Sequence, residues 1–394
     1  MKREELKAIA HVRMNPDVWL ENFATIKTKD MREITPTLNE FQRRVCEVYT
    51  WCREQAVPCR IIILKPRRKG SSTVSVGLLY QHLRNYPAIG AILGDNLDTT
   101  GKLVEIFCRY GATDRFAPHW GNAVTMNGEA FTHGARLQYE TANRPRAGMS
   151  GDIHVLIATE AAHYNRSGKA SGETVMASIM NSVPNIPASC VIMESTPNGA
   201  HGVFFDTWGK AVPFEDFQRG VRGNGFIQVF FPWFAFEDSR DPDFNPADEE
   251  KFLATLDHDD RYLGERQLRE TYGVCAAMLS WRRKVIDSPA CNGDRRMFDQ
   301  EYPSDPVSCF LQSGKSRFDE YSLNLVERKV ALAPTPQYGV LVLPEGAKEP
   351  TFHTTGKADS WLRVWEMPKP NCRFVLPADF MRGEQAAGAS DTDC

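Results

Sequence analysis

The chain has 394 residues, 42% hydrophobic and 25% charged, with a formal net charge of −3. This composition excludes a disordered chain, a fibre and a polycation, so any hold on nucleic acid must come from local basic clusters. Ten cysteines without C-x-x-C spacing suggest neither a zinc site nor a disulfide framework, and a reducing compartment is expected.

Residues 1–56 read as helical and amphipathic, with a break near Pro36. Leu38, Phe41, Val45, Val48 and Tyr49 fall close to one helical face behind a cap at Asn39. The chain opens without a signal-peptide core, and no apolar stretch is long enough to span a bilayer. Gln42 heads the second helical run. Its amide supplies the donor and acceptor that an adenine edge requires, although an exposed helical glutamine is the simpler reading.

The next stretch, RIIILKPRRKGSSTV over residues 60–74, organises the rest. An apolar β-prone run enters a basic turn with one glycine, Gly70, followed by the hydroxyl residues Ser71, Ser72 and Thr73. Strand, phosphate-sized loop and helix in that order place unpaired N–H groups and a helix dipole where an anion can sit. The regular G-x-x-x-x-G-K-[ST] pattern is not met: Ser71 stands in the lysine position, and the cations Lys65, Arg67, Arg68 and Lys69 lie upstream. A solvated surface turn is the alternative for this stretch taken alone.

Further on, residues 74–84 continue as helix, 88–96 read as a buried strand, and 100–110 as helix. A hairpin-like region follows near 127–141. Another strand, 155–158, ends in Thr159 and Glu160; a helix near 173–181 precedes a strand at 190–194. Such alternation predicts an α/β core with a mainly parallel sheet, whose ligands sit at the carboxyl ends of the strands. Beyond Phe234 come an acidic helical stretch and the basic helix LSWRRKVI. From about Leu332, Pro and Gly become dense, and short β-like runs at 340–343, 362–365 and 373–376 suggest a second, β-rich unit.

Nucleotide hydrolysis needs a phosphate cradle, a hydroxyl for Mg²⁺, a carboxylate for water and positive charge for the transition state. Ser72, or Thr73, supplies the hydroxyl. Glu160 is the carboxylate after an apolar strand, preceded by Thr159 where an aspartate is expected; that hydroxyl could hold a metal-bound water without bringing charge. Arg144 and Arg146, in ANRPRAGMSGD, suit an arginine finger or a plain solvated charge pair. ESTPNG, comprising Glu194, Ser195, Thr196, Pro197, Asn198 and Gly199, ends another strand and suits sensing of a γ-phosphate, or is a simple Asn-Gly turn.

The ordered set of NFATIKTKD, LNEFQ, KPRRKGSST, PRAGMSG, ATEAAHY, ESTPNGAHGVFFDTW, FFPWF, LSWRRK and FDQEYPSDPVSCFLQSG, then Phe318 and Asp319, resembles the large terminase subunit of tailed bacteriophages. The resemblance covers most of the chain and departs at Arg68, where many relatives have Gln, and at Thr159, where Asp is usual. It implies an ASCE/RecA-like P-loop ATPase with a helical lid, the first strands of an RNase H-like nuclease, and ATP and Mg²⁺ as ligands. It implies Lys65 or Arg67 as phosphate cation with Lys69 ranked lower, Gly70 to Thr73 as cradle, Ser72 on Mg²⁺, Gln42 near adenine, Glu160 as catalytic carboxylate and residues 194–199 as coupling motif. FVLPADFMRG resembles the first nuclease strand, with Asp379 as a metal ligand and Asp391 or Asp393 as weaker matches. The chain ends before further strand-end carboxylates, so nuclease activity is expected to be absent.

The implied segments are a helical flank at 1–57, the ATPase core at 58–235, the lid at 236–330 and a partial nuclease domain at 331–394. The implied partners are double-stranded DNA, a portal protein, a small terminase subunit and further copies in a ring, in the host cytoplasm and away from membranes. A helicase-like ATPase and a non-hydrolysing nucleotide-binding, capsid-docking module are the rival readings.

Overall fold

The structure is a computed structural model that describes residues 10–28, 30–114, 128–129, 131, 133–142, 151–164, 171–257, 263–312, 337–346, 350–356, 359–360 and 362–364. The chain falls into two compact units, Met1–Arg317 and Phe318–Cys394.

Helix α1 (Pro16–Phe23) opens on a proline whose missing N–H costs nothing at a first helical turn. The break expected near Pro36 between two helical runs begins earlier, at a small antiparallel ribbon, β1 (Ile26–Lys27) and β2 (Glu33–Ile34). Its cause is local. The Thr28 hydroxyl donates to the Arg32 carbonyl and accepts from the Arg32 N–H, both at 3.0 Å, so a side chain takes the bonds a helix would need. Helix α2 (Glu40–Glu54) then starts from a capping box. Asn39 accepts from the Gln42 N–H, and the Gln42 side chain accepts from the Asn39 N–H.

The core alternates strands and helices. In chain order come β3 (Cys59–Leu64), α3 (Ser71–Asn85), β4 (Ile89–Gly94), α4 (Leu97–Thr113), β5 (Gly128–Glu129), β6 (Arg136–Thr141), β7 (Val155–Thr159), α5 (Gly172–Met180), β8 (Cys190–Ser195), α6 (Gly202–Lys210), β9 (Val212–Pro213), α7 (Phe214–Gln218) and β10 (Ile227–Phe230). The eight strands β3–β10 form one sheet in the order β5-β6-β4-β7-β8-β3-β10-β9, parallel except for the edge pair β5/β6. One strand, β8, separates β3 from β7. The region read as a hairpin gives that edge pair, but β6 is also a parallel neighbour of β4 and so a strand of the main sheet.

Alternate residues of β3 face opposite layers, as the two-residue strand period demands. Ile61 and Ile63 join the core beneath α1–α4 with Trp19, Phe41, Leu78 and Phe107. Ile62 and Leu64 join the other, with Val175, Phe204 and Trp208 from α5 and α6. Burial on both faces explains why the central strands read as continuous apolar runs.

After β10 the first unit builds a lid from α8 (Glu249–Leu253), α9 (Glu265–Tyr272), α10 (Ala276–Asp287) and α11 (Arg295–Glu301). Its own apolar cluster centres on Trp233, Leu268, Leu279 and Phe298, with Trp281 stacked on Trp233 at 5.5 Å. Helix α12 (Ser308–Gln312) then puts Phe310 back into the α5/α6 layer. In the second unit β11 (Gln337–Val342) pairs antiparallel with both β12 (Thr351–Thr354) and β13 (Leu362–Val364). The run at 373–376, Asp379, Asp391 and Asp393 lie outside the described residues.

Candidate nucleotide site

The turn between β3 and α3 is held from below. Gly70 has φ 85°, a left-handed conformation that favours glycine, and a Cβ there would lie 2.5 Å from the Gln42 amide nitrogen. That amide donates to the Gly70 carbonyl at 3.0 Å, and the Asn39 amide donates to the Lys69 carbonyl at 3.1 Å. Gln42, read as an adenine contact, is therefore first a strut: it caps α2 and grips the loop. One amide hydrogen and one oxygen lone pair remain for any base. Its place three residues after Asn39, the capping-box spacing, was the available signal.

Lys65, at the end of β3, donates from Nζ to Glu160 Oε1 at 2.7 Å. The pair spans the sheet edge from β3 to the end of β7, across β8. Burial of Glu160 would raise its pKa, but the Lys65 ammonium, its hydrogen bond, nearby His163 and the Thr196 N–H together hold it below the ordinary carboxylate value. Burial likewise disfavours the Lys65 charge, yet Glu160 and Glu194 keep its pKa above that of an ordinary lysine. Glu160 itself has φ 52°, a strained conformation for a non-glycine residue, and strain of this kind concentrates at working sites.

The strand end of β8 leans on Glu160. The Ser195 hydroxyl and the Thr196 N–H both donate to Glu160 Oε2 at 3.4 Å, the Ser195 hydroxyl accepts from the Ala162 N–H, and the Asn198 amide donates to the Ala162 carbonyl at 3.0 Å. His163 Nε2 lies 3.2 Å from the Thr196 hydroxyl. Pro197 is buried and Gly199 has φ 82°. ESTPNG is thus bonded to the turn that carries Glu160 at several points.

The other loop cations have different addresses. Arg67 pairs with Glu301 of α11 at 2.9 Å, and its N–H donates to the Glu301 carbonyl at 2.8 Å. Lys69 pairs with Asp238, donates to the Ser239 hydroxyl at 2.8 Å, and lies 5.0 Å from the Phe236 ring and 5.8 Å from that of Trp281. Arg68 is exposed with φ 60°. Neither Glu301 nor Asp238 was singled out in the sequence, because nothing local marks them as partners of the loop.

The first hydroxyls of α3 turn inward. Ser71 donates to Glu194, Ser72 lies 3.4 Å from Glu194 Oε1, and Thr159 donates to the same oxygen at 2.9 Å. These are hard oxygen donors at a helix start, a set that fits Mg²⁺. Thr73 lines a cavity of ≈ 840 Å³ bounded by the segment from Ile26 to Gln42, the loop from Arg68 to Thr73, and residues 231–238. Lys65 and Glu160 do not line this cavity.

Basic clusters elsewhere are already committed to carboxylates or rings. Arg282 is buried over Phe298, Arg283 pairs with Glu265 at 2.6 Å and Lys284 with Asp241 at 2.6 Å. Arg295 pairs with Asp257 and Arg296 with Asp294. Arg144 and Arg146 lie outside the described residues. Among the described residues no helix is long and apolar enough to cross a membrane, and no group of three or more His, Cys, Asp or Glu is placed to hold a metal.

No protein-family model and no curated protein matches the chain. Several solved structures are similar to it. The large terminase of bacteriophage HK97 is 10% identical with a TM-score of 0.46, the match covering 84% of this chain and 62% of that one. The chain thus spans about three fifths of that protein's length. The ATPase domain of the Thermus phage P74-26 large terminase is 15% identical with a TM-score of 0.37, over 69% of this chain and 94% of that one. The Sulfolobus solfataricus SWI2/SNF2 ATPase core, solved in complex with dsDNA, is 10% identical with a TM-score of 0.31, over 80% and 68%. Scores this low leave function to the site itself.

Proposed function

We propose that the chain is an ATP-hydrolysing motor of the large-terminase type, which moves viral double-stranded DNA into a procapsid. The observation that carries the reading is the Lys65–Glu160 pair, 2.7 Å apart at the carboxyl edge of a parallel sheet, beside a loop whose glycine opens a helix. A helicase-like ATPase would share this site. The terminase reading is preferred for the ordered motifs that run from residue 22 to residue 319.

The adenine lies in the cavity between Gln42, Arg68 and Phe236, and the phosphates pass over Gly70 toward Lys65. The N–H groups at the start of α3 and the Lys65 ammonium bind them, and Glu160 orients the attacking water. A phosphate oxygen competes with Glu160 for Lys65, so substrate arrival frees the carboxylate for its task. Ser72 would hold Mg²⁺, which when bound would supply charge neutralisation at the phosphates. Arg144 or Arg146 of a neighbouring copy in a ring supports the transition state. Two routes run from the site to the rest of the first unit: ESTPNG, bonded to the Glu160 turn, and the loop, tied to the lid through Arg67–Glu301 and Lys69–Asp238. A portal protein and a small terminase subunit complete the machine in the host cytoplasm.

Glu160→Gln tests the assignment. The amide keeps the shape but cannot accept a proton, so turnover should fall ~10²- to 10³-fold while ATP affinity stays within ~3-fold. Hydrolysis at the parental rate would remove Glu160 from its role. DNA-stimulated turnover together with packaging into purified procapsids separates the motor from a helicase.

A further inference from the structure

The chain lacks the aspartate expected before Glu160, and the structure holds a carboxylate one strand away. Glu194 is fully buried, yet it stands at a strand position whose predecessors on the same face, Cys190 and Ile192, are apolar. In the parallel register of β7 and β8 it sits directly beside Thr159. It accepts from four hydroxyls on two elements: Ser71, Ser72 at 3.4 Å and Ser75 at 3.4 Å from α3, and Thr159 at 2.9 Å from β7. Among the described residues it forms no direct ion pair, so its hydroxyl bonds and the N-terminus of α3 offset its desolvation together with the longer-range charge of Lys65, which is itself paired to Glu160.

We infer that Glu194 is the carboxylate of the Mg²⁺ site, supplied from β8 beside the Thr159 hydroxyl that stands on β7 where an aspartate is expected. It acts as a positioning residue. With no exposed surface it reaches the ion through Ser72: a serine that donates its proton to Glu194 turns its lone pairs away from the carboxylate and toward the phosphate side. The negative charge behind that oxygen raises its basicity, as outer-shell carboxylates do for other ligands. A divalent cation would in turn offset a buried charge whose hydrogen-bond partners are all neutral hydroxyls and whose neighbouring cation, Lys65, is bonded to Glu160. This rests on the ATPase reading above, which assigned Ser72 to the metal and left residues 194–199 with coupling alone.

The full-length chain can be tested with Mn²⁺ as the probe, by electron paramagnetic resonance titration in the presence of ATP, alongside ATP affinity in excess chelator. Glu194→Gln should weaken Mn²⁺ binding ~10- to 100-fold, while metal-free ATP affinity changes less than ~3-fold. The exchange variant Thr159→Asp/Glu194→Thr restores a carboxylate to β7 and should bring Mn²⁺ affinity back to within ~5-fold of the parent. Equal losses with and without metal in Glu194→Gln would reduce Glu194 to a structural clamp and overturn the inference. So would an exchange variant that melts like the parent but binds Mn²⁺ no better than Glu194→Gln. If Glu194→Gln fails to fold, the exchange variant decides alone, and a loss beyond ~50-fold counts against the inference. A parent chain that binds no ATP under either condition would sink the ATPase reading instead, whereas ATP binding untouched by metal would sink only this one.

Discussion

The carboxyl edge of the sheet and the lid each take a cation from the same five-residue loop, and they hold it differently. At the edge, Lys65 has a single side-chain hydrogen-bond partner among the described residues, Glu160. In the lid, Lys69 is fixed by Asp238, by Ser239 and by two aromatic faces. Moving Lys65 onto a phosphate exchanges one anion for another; moving Lys69 would break a charge pair, a hydroxyl bond and two cation–π contacts at once. Under the proposed function, closeness to the glycine would then not choose the phosphate cation; how little else the side chain is doing would.

The largest expected effect comes from removing the loosely held member. Lys65→Met should lower ATP affinity about 100-fold, roughly 2.7 kcal/mol, with the lid left intact. Lys69→Met should do the reverse. It gives up a charge-assisted hydrogen bond and ring contacts in a side chain only 5% exposed, for about 2 kcal/mol of stability, and ATP affinity should stay within ~3-fold. Calorimetric titration and urea unfolding on both variants would expose the contrast. An affinity loss in Lys69→Met larger than in Lys65→Met would reverse the assignment of the two cations.

The same contrast marks what could be read in advance. Strands β3, β4, β7 and β8 are visible as apolar runs because parallel strands buried on both faces must be. Strand β6, RLQYET, carries polar residues near the sheet edge, and β10 offers only four residues, so neither stands out. In the second unit the apolar runs at 340–343 and 362–365 overlap β11 and β13, but β12, TFHT, has no such pattern. Within the site, the order of Gly70 and Glu160 along the chain is legible, since each follows an apolar strand. Partner choice is not. Lys69 and Asp238 are 169 residues apart and Arg67 and Glu301 are 234 apart, and no local period encodes such pairs. Glu194 was open to a closer reading: a carboxylate that follows CVIM on an inward-facing register, in a chain missing the acid at Thr159, has to find polar company inside.

The smallest effect concerns the sign of a pH slope, and it isolates the edge pair. Glu160 has a folded pKa below the ordinary ~4.3 of a glutamate. Its contribution to stability is therefore complete above that unfolded value and is lost as pH falls through the folded one, because the unfolded chain binds the extra proton. Lys65, raised above ~10.4, contributes fully below that value and loses it as pH rises through its folded pKa. In Lys65→Met the cation is gone and burial, which acts to raise the Glu160 pKa, is left dominant. The folded state then binds the extra proton, and this component of stability falls as pH rises. Glu160 is about a quarter exposed, so the change should stay near or below ~1 kcal/mol. Urea midpoints of parent and variant at several pH values from about 4 to 7 should give a difference that widens with pH, all unrelated groups cancelling. A difference that stays flat would mean that Lys65 does not set the charge state of Glu160, and the edge would then be no more exchangeable than the lid.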